Sequence, residues 1–207
     1  MEEETHKEKT RMRFDGWAKS YERSVLWRVY FKPLHRKING LLGEISGLSV
    51  LDIGCGTGNF LRELKKRNPR LLTGVDISES MLEIARELSS GTDIKFIRCD
   101  AENLPFDDES FDIVTSTIAF HHFENPKRVL SETYRVLKSS GRVVISDLSG
   151  EGLASRLFLA FGKEVSTDRK YYERDEITSL LRECGFFDAC ARRIWRFPPT
   201  FLATGYK

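Results

Sequence analysis

From residue 48 onward, short apolar runs alternate with stretches of helical periodicity. Leu48–Ile53 is an apolar run that ends at a glycine-rich turn, as a strand buried on both faces should. Phe60, Leu61 and Leu64 mark one helical face, and Leu71–Val75 is a second strand. Ser78 stands as the cap of a helix whose predicted apolar face is Met81, Ile84, Ala85 and Leu88. Ile94–Ile97 and Phe111–Ile118 are the third and fourth strands. Asn125-Pro126 opens a helix, Gly141 follows its end, and Arg142–Ser146 is the fifth strand. Ile177, Leu180, Leu181 and Cys184 give a last helical face, stopped by Gly185. Two β segments, Phe186–Trp195 and Thr200–Tyr206, meet through Pro198-Pro199 with no room for a helix, so they pair antiparallel. The alternation predicts an α/β fold, a doubly wound sheet with helices on both faces and its ligand beyond the carboxyl ends of the strands.

The chain before residue 48 reads differently. Residues 1–10 are almost wholly polar, which predicts a frayed start. Arg11–Leu42 has helical spacing with aromatics among basic residues, and Pro33 divides it into two or three short helices. Residues 5–37 hold ten Lys/Arg against three acids. Over all 207 residues, however, the net charge is only +2, with 40% hydrophobic and 31% charged residues. That composition excludes a disordered chain and supplies no global pull toward nucleic acid. The N-terminal charge reads first as a solvated helix face, with an RNA partner as the open alternative. The acidic start lacks a secretory pattern, and no apolar stretch has the length of a membrane span. Cys55, Cys99, Cys184 and Cys190 show neither disulfide nor metal-ligand spacing, so reduced thiols, no metal and a cytoplasmic location are expected.

Chemistry concentrates at three strand ends. The first is Val50-Leu51-Asp52-Ile53-Gly54-Cys55-Gly56-Thr57-Gly58-Asn59-Phe60. Its glycines alternate, and Asn59 fills the slot of the third glycine in a dinucleotide fingerprint. A carboxylate at Asp52 would repel a pyrophosphate but suits an ammonium or sulfonium. Asp76 lies 24 residues further on, at the end of the second strand, where an acid accepts from ribose hydroxyls. Asp100 lies another 24 residues on, at the third strand end. There it can accept from an exocyclic amine while the Ala101 amide donates to a ring nitrogen. The series describes a nucleoside laid across three strand ends.

Val50–Phe60, Gly74–Leu82, Asp100–Phe106 and Ser110–Phe123 together resemble the class I S-adenosylmethionine-dependent methyltransferases. The similarity is strongest to the small-molecule group that includes quinone and sterol enzymes, and it runs over about residues 46–147. It implies a Rossmann-like seven-stranded sheet with the last strand antiparallel, an N-terminal helical cap, and S-adenosylmethionine converted to S-adenosylhomocysteine. By position, the resemblance assigns Asp52, Gly54, Cys55, Gly56, Thr57 and Gly58 to the methionine end of the cofactor. It assigns Asp76 to the ribose, Ile77 and Met81 to the flanks of the adenine, and Asp100 with Ala101 to its edge. Thr117 would stand near the sulfonium, and Tyr21 would close over the methionine. As a single domain, the chain divides into a cap (1–47), a cofactor core (48–147), a substrate-side insertion (148–173) and a C-terminal helix with hairpin (174–207).

Methyl transfer needs a base only when the acceptor carries a proton that must leave. His121 and His122, just past the fourth strand, are the candidates, with His122 favoured. Ala119-Phe120-His121-His122-Phe123 departs from the Phe-Gly-Leu-Arg-Asn pattern of the quinone enzymes, and Asn125-Pro126-Lys127-Arg128 is not the Asn-Pro-Pro-Tyr box of base methylation. A thiol-using arsenite-type enzyme has Cys55 in its favour and nothing else. The aromatic N-terminal helices and Leu157, Phe158, Phe161, Tyr171 and Tyr172 predict a small apolar or aromatic acceptor. An NAD-dependent oxidoreductase and a non-catalytic S-adenosylmethionine-binding regulator are the alternatives.

Overall fold

The computed structural model describes residues 6–21, 27–152 and 170–207, with side chains at 7–16, 29–152 and 170–207. Seven strands form one sheet: β1 (Ser49–Ile53), β2 (Leu71–Asp76), β3 (Lys95–Arg98), β4 (Phe111–Thr117), β5 (Leu137–Leu148), β6 (Phe187–Trp195) and β7 (Thr200–Tyr206). Their order is β3-β2-β1-β4-β5-β7-β6. The pairs from β3 through β5 are parallel, and β7 runs antiparallel to both β5 and β6, as expected. All five residues of β1 are buried, because helices cover both faces and leave no polar side to alternate with.

On one face Leu51, Val114, Ile145 and Phe201 pack with α5 (Pro126–Val136) and α6 (Arg174–Glu183). On the other, Val50, Ile113, Val144 and Leu202 pack with α2 (Lys32–Leu41), α3 (Asn59–Lys65) and α4 (Glu79–Leu88). The strand order turns back on itself between β1 and β4, the topological switch point of such a sheet.

Four local expectations are corrected. The N-terminus is not frayed through residue 10: α1 spans His6–Tyr21, and Lys7 is tied by salt bridges to Asp100 and Glu102. The stretch does divide into short helical pieces, but Pro33 does not break the second of them. A π turn, Trp27–Phe31, runs straight into α2, and the proline sits in the first turn, where its missing N–H costs no helical bond. The buried face of α4 is Met81, Leu82 and Ala85, with Leu88 exposed, because α4 also packs against α1. Gly141 lies inside β5, since pairing with β4 already begins at Leu137. The caps hold: Ser78 Oγ accepts from the Met81 amide, and the Asn125 side chain accepts from Arg128. Leu157, Phe158 and Phe161 lie outside the described residues. Among those described, no helix is long and apolar enough to cross a membrane.

Candidate active site

A cavity opens at the switch point, beyond the carboxyl ends of β1, β2, β3 and β4. It holds about 1060 Å³ of space not filled by atoms, the open solvent at its mouth included. Its floor is the turn after β1. The Gly54 and Cys55 amides both donate to the Val75 carbonyl, fastening this turn to β2. Gly56 has φ +52°, and a Cβ there would meet nothing within 4 Å, so its backbone faces open cavity. Gly58 does not line the cavity. It precedes α3 at φ +75°, and a Cβ there would press within 2.7 Å of the Phe96 ring.

Two acids support the turn. Asp76 Oδ2 accepts from the Gly56 amide at 2.8 Å, and its Oδ1 accepts from the Ser78 amide at 3.0 Å. Burial raises its carboxyl above the usual carboxylate range, against the pull of those amides. Asp52 lies beneath the turn, 1% exposed, and does not reach the cavity surface. Thr115 Oγ1 donates to its Oδ1 at 2.6 Å, while Oδ2 has no hydrogen-bond partner. Burial pushes its carboxyl up to about 7, with the Thr115 bond opposing and the Asp76 charge reinforcing.

At the third strand end, Asp100 Oδ1 accepts from the Glu102 amide and Oδ2 from Lys7 Nζ at 2.7 Å. Lys7 also reaches Glu102 at 3.0 Å, and Lys7, Thr10 and Phe14 of α1 form one cavity wall. A second tie, Ser78 Oγ donating to Asp15 at 2.6 Å, holds α1 against α4. Ile77, Met81 and Ala101 line the same end. His35, on the cavity side of α2, is held neutral by burial, which lowers it to about 4.

Beyond the fourth strand the two histidines have different surroundings, although their rings lie 3.9 Å apart. The strand's continuation is a 3-10 turn, Phe120–His122, entered through Ile118 at φ +52°. His121 is buried: its backbone amide and ring Nδ1 both bind Asp147 at the end of β5, at 2.9 and 2.7 Å. Tyr171 stacks on it from the other side, ring centres 4.9 Å apart. His122 faces the cavity with its ring 5.0 Å from Phe14, edge to face, and Thr117 lies on the same wall.

Gly54, Cys55, Gly56, Thr57, Asp76, Ile77, Met81, Asp100, Ala101, Thr117 and His122 thus share one cavity. Asp52, Gly58 and His121 stand just behind it, and the side chain of Tyr21 lies outside the described residues. The sequence reading missed Lys7, Thr10 and His35. No motif or spacing in the sequence marks those positions.

Residues 51–145 match a family described as a methyltransferase domain. A demethylmenaquinone methyltransferase of Thermotoga maritima is 45% identical over 115 residues, 55% of this chain and 49% of the relative. That of Tropheryma whipplei (strain Twist) is 30% identical over 211 residues, 91% of this chain and 88% of the relative. The chain belongs to the class I S-adenosylmethionine-dependent methyltransferases. Among solved structures, an S-adenosylmethionine-dependent methyltransferase of Thermotoga maritima matches this methyltransferase at TM-score 0.79 and 25% identity, over 95% of this chain and 99% of that one.

The residues present fit the family's cofactor. A buried carboxylate oxygen lacking a donor lies beneath a turn whose backbone is open to the cavity, and two further acids follow at the next strand ends. That arrangement suits a cationic nucleoside. Among the described residues no group of three or more His, Cys, Asp or Glu could hold a metal ion.

Proposed function

We propose that this methyltransferase moves a methyl group from S-adenosylmethionine to O, C or N of a small apolar or aromatic molecule, releasing S-adenosylhomocysteine. When bound, the cofactor supplies a methyl carbon already activated by a positive sulfur. The turn at Gly54–Thr57 would carry the methionine end, with the Asp52 charge beneath it. Asp76 would accept from the ribose, Ile77 and Met81 would flank the adenine, and Asp100 with Ala101 would read its edge. Holding donor and acceptor in line is where this chain contributes most, on the order of 7–11 kcal/mol for well-oriented partners. His122 would take the acceptor's proton where there is one. His121 is the positioning partner, because Asp147 fixes both its backbone and its ring.

The observation that carries this reading is that Asp76 and Asp100 line one cavity, with Asp52 buried beneath its glycine turn, where a pyrophosphate would be repelled. That feature disfavours a nicotinamide dinucleotide. A lining of Phe14, His122, Phe123 and Ile118 on the far wall favours an apolar acceptor over a purely regulatory ligand site. The named relatives make a hydrophobic quinol the first acceptor to try.

The test is incubation with methyl-labelled cofactor and either a quinol panel or a metabolite extract, with products read by mass spectrometry. A labelled product is expected. His122→Ala should lower kcat about 10²–10⁴-fold if the accepting atom is protonated. Binding of a nicotinamide dinucleotide with none of S-adenosylmethionine would overturn the assignment.

A further inference from the structure

Lys7 apart, no described Lys or Arg of the N-terminal stretch lines the cavity, and the fold gathers part of these residues on one face. The stretch Trp27–Leu41 contains no Asp or Glu. Its inward side chains, Leu34, His35 and Ile38, are buried, and His35 lines the cavity. Its outward side chains at Val29, Lys32, Arg36 and Lys37 are exposed, at the three- and four-residue spacing of a helix face. The end of β6 continues this surface. Lys37 Nζ sits 5.6 Å over the Trp195 ring, Tyr30 packs edge-on to the same ring at 6.3 Å, and Arg196 and Phe197 follow in the chain.

The charges on this face are not neutralised from within. Among the described residues Lys32, Arg36 and Arg196 make no ion pair. Nearby Glu151 is taken by Arg174 at 2.9 Å, with Arg193 at 3.6 Å, and Glu63 by Lys66. Between these cations stand two large apolar side chains, Val29 at 69% and Phe197 at 60% exposed.

We propose that this face of α2 and the end of β6 docks on an anionic lipid bilayer. Lys32, Arg36, Lys37 and Arg196 complement the lipid headgroups, while Val29 and Phe197 enter the boundary between headgroups and acyl chains. Val29, an exposed aliphatic side chain that cannot stack on a base, favours a bilayer over RNA. The helix α2 carries Lys32, Arg36 and Lys37 of this face and His35 of the cavity lining. An apolar acceptor would therefore be drawn from the membrane close to the site; that consequence rests on the acceptor assignment above, whereas the docking does not.

The experiment is co-sedimentation of the full chain with vesicles of phosphatidylcholine alone or with about one third phosphatidylglycerol, at low and high salt, with no acceptor present. Binding to the anionic vesicles, released by salt, is expected. Each cation near such a surface is worth about 1 kcal/mol, or about fivefold in partitioning, so Lys32→Gln/Arg36→Gln/Arg196→Gln should weaken binding on the order of a hundredfold. Val29→Asn should weaken it about tenfold at unchanged charge. Both variants should keep the wild-type thermal midpoint and S-adenosylmethionine affinity. Should the triple variant fail to fold, the salt dependence and Val29→Asn decide alone. No binding to anionic vesicles, equal binding to neutral ones, or binding of an RNA homopolymer in place of vesicles overturns the proposal. A methyltransferase that is active on a soluble acceptor yet binds no vesicles would fail this proposal and leave the enzymatic one intact.

Discussion

At the residue scale, Asp52 carries the most physics per atom. A carboxyl with one donor and one bare oxygen, buried under a glycine turn, is poorly solvated as an anion, which is why it sits near 7 rather than 3.8. The fold therefore keeps this proton between those two values while the unfolded chain has released it. The stability it contributes is complete below about pH 4 and is lost as pH rises through 7. His35 has the opposite sign: its value falls from 6.5 to about 4, so its contribution is present above 6.5 and lost as pH falls through 4. Comparing wild type with Asp52→Asn cancels the histidine. The variant should be more stable than wild type at pH 8 by a few kcal/mol, ~1.4 kcal/mol for each pH unit between the two values. The gap should close near pH 4, as read by urea denaturation. The same variant should bind S-adenosylmethionine about tenfold more weakly at pH 8, since a nearby charge in a partly dry site is worth a kcal/mol or more. A variant less stable at pH 8, with unchanged affinity, would refute the role of the buried charge.

At the element scale, α1 acts as a cover fixed at two points, Lys7 to Asp100 and Glu102, and Asp15 to Ser78. The lysine pairs are partly exposed, and pairs of that kind contribute little to global stability. Their effect should be local. Lys7→Ala should leave the thermal midpoint within a degree or two while raising the cofactor's dissociation rate several-fold in stopped-flow measurements, and high salt should do the same to wild type. An unchanged dissociation rate would show that α1 does not gate the cavity. The 3-10 turn is the second functional element. Its two adjacent histidine rings lie 3.9 Å apart, the first held by Asp147 and the second lining the cavity.

At the scale of the whole molecule, the sheet is a single body with a core on each face, so its support is shared. Phe201 of β7 is fully buried in one core, far from the cavity in sequence and on the opposite side of β5 from it. Phe201→Ala should cost about 3–5 kcal/mol. In urea, that loss should appear as a single earlier transition, followed together by fluorescence and cofactor binding. Two separated transitions would mean that the β5-β7-β6 edge folds independently of the cofactor core.

The order of elements and the glycine turn with its strand-end acids were legible in the sequence because both rest on short-range signals. A strand buried on both faces reads as an apolar run, a glycine turn reads as alternating glycines, and acids at successive strand ends repeat at the spacing of one strand–helix unit. Asp76, Asp100 and Ser78 could be placed from such signals alone. What tertiary structure decided were the contacts between segments far apart in the chain. Residues 1–10 look too polar to fold, yet Lys7 is held by acids more than ninety residues away. Neighbouring histidines at 121 and 122 are equivalent in sequence, and only Asp147, brought alongside by β5, buries the first and leaves the second facing the cavity. Asp52 reads as a ligand-facing acid, but a residue on a strand covered on both faces points into the packing, and its charge must act from beneath the turn. Local pattern sets which backbone forms; which side chain meets which partner depends on how the elements are stacked.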